Sequence, residues 1–110
     1  MPVLTVHAEP VADVAGLLSA LADAVADALE LGDGDVIATF VPAGPTVVSG
    51  SREPASTWPV VTIHGRDRGA AKMEAARAAA EASVRSSLRA AEVEHGGVWV
   101  EWVTPAPVVA

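Results

Sequence analysis

A strand–helix–strand pattern occurs twice in the 110 residues of this chain, and few folds accommodate it. The first run, Pro2 to Ala8, is short and β-branched, and Glu9-Pro10 breaks it. Proline suits the first turn of a helix, where its missing N–H costs nothing. Val14, Leu17, Leu18, Leu21, Val25, Ala28 and Leu29 then recur at spacings of three and four, which marks one helical face. Gly32 is expected to end that helix, because glycine takes a positive φ readily. Val36 to Val41 reads as a second strand, closed by Pro42.

The second unit repeats the plan. Pro59 precedes a strand at Val60–His64, and a turn from Gly65 to Gly69 leads into a helix over Ala70 to Ala91. Met73, Ala76, Ala80, Val84, Leu88 and Ala91 keep helical spacing, while Arg77, Glu81 and Arg85 stand as i,i+4 neighbours on another face. His95-Gly96-Gly97 is the exit turn, and Val98 to Val103 is the fourth strand.

A helix-length crossover makes the two strands of each unit parallel. Right-handed crossovers put both helices on one side of the sheet. The expected fold is therefore α/β (an α+β sandwich): tandem β-α-β units forming one four-stranded sheet with two helices packed on one face. It fills a single domain over 1–110, with units at about 2–42 and 59–104. The opposite sheet face has no helix to cover it, and Val3, Thr5, Thr39 and Val61 are expected there. The chain is 51% hydrophobic yet only 4% aromatic. That is more apolar surface than one small core needs, and it predicts an oligomer. The segment Ala43 to Trp58, rich in Gly, Pro and Ser, is too long for a tight connection and is expected to be functional or mobile. The tail Thr104-Pro105-Ala106-Pro107 cannot join a helix and is expected to run over a neighbour.

Charge narrows the function. Seven Lys and Arg stand against fourteen Asp and Glu, a net −7, which repels phosphate backbones and argues against nucleic acid. Asp13, Asp23, Asp27 and Glu30 interrupt the longest apolar face, so no membrane span is expected, and no basic leader opens the chain. Cysteine is absent. That fits a soluble, cytoplasmic protein and leaves no Cys-ligated metal site. His7, His64 and His95 lie on different elements without metal-ligand spacing, so neither metal nor cofactor is expected. Ser49-Gly50-Ser51 has no nucleophile-elbow context, and Gly32-Asp33-Gly34 follows a helix instead of a strand.

Arg66 and Arg68 follow the third strand, where α/β sites usually open. Guanidinium groups bind carboxylates through paired hydrogen bonds, and two cations on an acidic protein invite an anionic ligand. Asp33 and Asp35 flank Gly34 before the second strand. Turn capping is the commoner job for such residues, with positioning of water or a proton as the alternative for Asp35.

The Met-Pro start, the duplicated topology, Val41-Pro42, Ser49 to Pro54, Thr62-Ile63-His64 and Arg66-Asp67-Arg68 together resemble the tautomerase superfamily. The central stretch is similar to the macrophage migration inhibitory factor branch, and the Arg-x-Arg segment to the malonate semialdehyde decarboxylase branch. The resemblance implies trimers with sites at subunit boundaries, and an amino-terminal proline as general base or acid. Carried over, Pro2 is that group once Met1 is removed. Arg66 and Arg68 become the substrate's cations and Asp35 their acidic partner. Trp99 and Glu101 stand where the first branch has tyrosine and asparagine on the last strand, and are expected to touch substrate, with a subunit contact as the alternative for Glu101. Gly32 and Asp33 stand where it has a lysine. The expected function is interconversion of enol and keto forms of a 2-oxo acid by a homotrimer, with a small anionic oxo acid as ligand. The alternatives are a decarboxylase or hydratase of a short oxo or unsaturated acid, and a non-catalytic trimeric module.

Overall fold

A computed structural model of the chain describes residues 1–93 and 95–105. The elements are β1 (Val3–Ala8), α1 (Val14–Ala28), β2 (Ile37–Pro42), β3 (Val60–His64), α2 (Ala70–Ala90) and β4 (Trp99–Val103). The sheet order is β2-β1-β3-β4. The strands of each unit pair in parallel, β1 with β2 and β3 with β4, and the units join through antiparallel β1 and β3.

Alternation along the strands sends every second side chain to the helices. Leu4, Val6, Ala8, Val61 and Ile63 meet Leu17, Leu21, Val25 and Leu29 of the first unit and Ala76, Ala80, Val84 and Leu88 of the second in one buried core. Both helices therefore cover the same face. The alanines of α2 let it lie close to the sheet and to α1.

Two helix boundaries differ from expectation. Pro10 lies ahead of α1, which starts only after Asp13, whose side chain caps it by accepting from the Gly16 N–H at 2.9 Å. A side-chain oxygen there satisfies one of the orphan N–H groups of the first turn, worth about 1 kcal/mol. At the far end the helix stops before Gly32. Glu30 itself takes a φ of 57°, and Glu92 does the same after α2.

The uncovered face is built from Val3, Thr5 and His7; Ile37, Thr39 and Val41; Val60, Thr62 and His64; and Trp99, Glu101 and Val103. Val61 is not among them: it stands opposite Val6, faces the helices and is fully buried. Thr62, opposite Thr5, takes the outer position instead. The register draws a polar row, Thr39–Thr5–Thr62–Glu101, between two largely apolar ones.

The 43–58 segment is turned back on itself. Val47 and Pro54 form an isolated antiparallel bridge, Ala55 N–H donates to Thr46 O at 2.9 Å, and Gly50 takes the positive φ that the bend requires. Of the tail, Thr104 and Pro105 are exposed, while Ala106 and Pro107 lie outside the described residues. No helix among the described residues is long and apolar enough to cross a membrane.

Candidate active site

Antiparallel pairing sets Val3 against His64, so Pro2 lies beside the turn that leaves β3. Parallel pairing brings the start of β2 to its other side, where Ile37 N–H donates to Pro2 O at 3.2 Å. A cavity of about 220 Å³ opens at this corner, lined by Met1, Pro2, Leu31, Asp35 and Arg68. Pro2 itself is fully buried.

Asp35 is held by a closed turn. Its N–H donates to Gly32 O at 3.2 Å, and its Oδ2 accepts from Gly32 N–H at 3.0 Å. The capping role expected of such an aspartate is thus present, and the same carboxylate edges the cavity.

Arg68 arrives by a constrained route. Gly65 N–H donates to Val103 O at 3.1 Å, and Gly65 O accepts from Trp102 Nε1 at 3.2 Å. Asp67 Oδ1 accepts from Gly69 N–H at 2.8 Å, and Gly69 turns into α2 with a φ of 88°. Arg68 N–H points at Met73 Sδ, 3.4 Å away. Between these fixed points Arg68 enters the cavity, and its Nε is buried without a hydrogen-bond partner. A buried donor left unpaired costs about 1–3 kcal/mol, which an acceptor on a bound anion would return.

Of the residues singled out in the sequence, Pro2, Asp35 and Arg68 meet in this cavity. Arg66 is exposed and outside its lining. Trp99 and Glu101 are exposed on the outer face of β4, opposite Val60 and Thr62. Trp99 is four residues from the strand end nearest Pro2, about 13 Å along the sheet, so within one chain it does not reach Pro2. Leu31 and Trp102 were not anticipated. Leu31 continued the apolar series of α1, whereas Trp102 shows its role only once β3 and β4 are in register. No group of three or more His, Asp or Glu among the described residues could hold a metal ion.

No family model and no curated protein matches the sequence. Solved structures do. The chain is similar to a fused 4-OT wild-type symmetric trimer, with 22% identity, a TM-score of 0.74, and coverage of 94% of this chain and 85% of that one. It is also similar to macrophage migration inhibitory factor of Toxoplasma gondii (20% identity, TM-score 0.67, 96% and 90% covered). Malonate semialdehyde decarboxylase, a protein with decarboxylase and hydratase activities, matches at 17% identity and a TM-score of 0.64, with 94% and 84% covered.

Proposed function

The chain carries the fold of the tautomerase superfamily, and we propose that it is a tautomerase interconverting the enol and keto forms of a small 2-oxo acid, with the Pro2 amine moving the proton. The observation that carries this is the meeting of Pro2 with Arg68, whose Nε is itself buried and without a hydrogen-bond partner, in the lining of one small cavity. Removal of Met1 makes the Pro2 nitrogen a secondary amine. Burial and a neighbouring guanidinium both disfavour its ammonium form, leaving a base able to work near neutrality. It takes the proton from the enol hydroxyl as the carbonyl forms, and the resulting ammonium delivers a proton to the adjacent carbon. Arg68 holds the carboxylate by charge-assisted hydrogen bonds. The active form is a homotrimer, in which neighbouring copies cover the bare sheet face and could bring their own Arg66, Trp99 or Glu101 toward the cavity.

Ketonisation of phenylenolpyruvate, followed spectrophotometrically, tests the reading once intact mass has established loss of Met1. The wild type should be active and Pro2→Ala should lose at least a hundredfold. Equal rates in both proteins would remove Pro2 from the chemistry.

The Asp35 carboxylate in the same cavity favours a second reading, decarboxylation or hydration of a short oxo or unsaturated acid, with Asp35 orienting water or sharing a proton. Asp35→Asn keeps an acceptor for Gly32 N–H while removing the charge. Under the tautomerase reading it changes ketonisation only a few-fold; under the second it abolishes turnover of the short acid.

A further inference from the structure

With the fold known, the internal repeat is explicit in the chain: Pro2-Val3-Leu4-Thr5-Val6-His7-Ala8 matches Pro59-Val60-Val61-Thr62-Ile63-His64-Gly65 at Pro, Val, Thr and His. The backbone repeats as well. Pro59 O accepts from Trp99 N–H at 2.9 Å, as Pro2 O does from Ile37 N–H at 3.2 Å. Glu30 and Glu92 share a φ of 57°, and the residue after each donates to a carbonyl five positions back, Leu31 to Ala26 O and Val93 to Leu88 O.

A duplicated backbone makes a duplicated crevice. The cavity at Pro2 is closed by Leu31, by the loop that carries Asp35, and by Arg68 from the turn before the other unit's helix. At the opposite end of the sheet a cavity of about 130 Å³ is bounded by Pro59, by Val93, by His95 on the corresponding loop, and by Glu9 from the turn before α1. Ser56 and Thr57 also line it. Buried side-chain polar atoms without a partner occur at two places among the described residues, Arg68 Nε and His95 Nδ1, each on a residue that lines one of the crevices.

The chemistry of the second crevice is inverted. Pro59 lies inside the chain, so its nitrogen is an amide and cannot carry a proton. No Lys or Arg is among the described residues that line the cavity. Its lining residues carry acceptors: the Glu9 carboxylate, the Ser56 hydroxyl, the Thr57 Oγ1 whose proton is directed to Trp58 O at 3.2 Å, and, itself buried and unpartnered, His95 Nδ1 when the imidazole proton sits on Nε2. Trp58 takes the place of Met1 and lies over Gly97, where a Cβ would come within 2.9 Å of its Cζ3.

We propose that the crevice under Pro59 is a second ligand site, which takes a small primary ammonium between Glu9 and His95. Three N–H donors on one cationic nitrogen match the carboxylate, the imidazole nitrogen and a hydroxyl. The chain's net −7 raises the local concentration of such cations.

Titration of the full-length protein with ethylammonium chloride, followed by amide and histidine-ring NMR, tests this. Saturable shifts at His95, Gly96, Gly97 and Thr57 are expected, with the dissociation constant rising at least tenfold in Glu9→Gln and in His95→Phe. The amide spectrum of each variant reports that it is folded. Shifts that never saturate, that persist unchanged in Glu9→Gln, or that sodium chloride reproduces at equal concentration would overturn the site. None of these outcomes depends on Pro2 chemistry.

Discussion

The indole of Trp102 lies against the backbone of Gly65: Nε1 donates to Gly65 O at 3.2 Å, and a Cβ on Gly65 would stand 2.8 Å from Cζ2. Because Arg68 follows three residues later, this contact sets where the cation enters the Pro2 cavity.

Gly65→Ala is therefore expected to cost about 1–3 kcal/mol of stability through overpacking. Trp102→Phe removes the crowding atoms along with the donor, so alanine should be tolerated better in that background. A double-mutant cycle from urea denaturation checks the coupling, and additive effects would dissolve the contact. If Arg68 holds substrate, Trp102→Phe should also lower kcat/KM for the enol acid in a protein that remains folded.

Leu21 is fully buried at the centre of the α1 face. Leu21→Ala should destabilise the fold by about 2–5 kcal/mol, lost transfer energy plus the cavity left behind. The midpoint should be measured at fixed protein concentration, since assembly would add its own stabilisation.

On α2, Arg77 binds Glu74 at 2.8 Å and Glu81 at 3.0 Å, and Arg85 reaches Glu81 at 3.2 Å. The hydrogen bond from Arg77 holds the Glu74 carboxyl below its ordinary pKa, and those from Arg77 and Arg85 do the same for Glu81. A carboxylate with a depressed folded-state pKa contributes stability above its unfolded pKa and loses it as pH falls through the folded one. The groups are solvent-facing, so the contribution is small and screened by salt. Carbon-13 titration should find both carboxyls low in the wild type; in Arg77→Met Glu74 should return to the ordinary range, while Glu81, still bound by Arg85, should return only part of the way.

The bare sheet face exposes Ile37, Val41 and Trp99. If copies of the chain cover it, Ile37→Lys places a charge in a desolvated apolar contact and should shift sedimentation from trimer toward monomer. An unchanged assembly would locate the interface elsewhere.

Much of this was legible along the chain because the patterns are local. A helical face repeats every three to four residues, and Leu17, Leu21 and Val25 announce α1 whatever lies opposite them. The caps were less legible. α1 ends at Ala28, and the left-handed turn beyond it falls on Glu30, which brings Leu31 back over the helix to donate to Ala26 O at 2.8 Å, even though Gly32 is the residue with the lower intrinsic cost. The inward side of β3 depends on pairing. A one-residue change of register exchanges the faces of Val61 and Thr62, and only the antiparallel match of Val61 to Val6 selects between them.

Two β-α-β units, their helical faces and the parallel pairing inside each are written in the order of residues, since periodicity and crossover length are properties of one stretch of chain. Which chemical groups meet depends on how those units pack. Pro2, Asp35 and Arg68 are separated by more than thirty residues at each step, and their meeting depends on β1 lying antiparallel to β3 and on Trp102 holding the turn at Gly65. The same pairing produced the mirror crevice at Pro59, because a duplicated backbone repeats its hollows while each copy fills them with its own side chains.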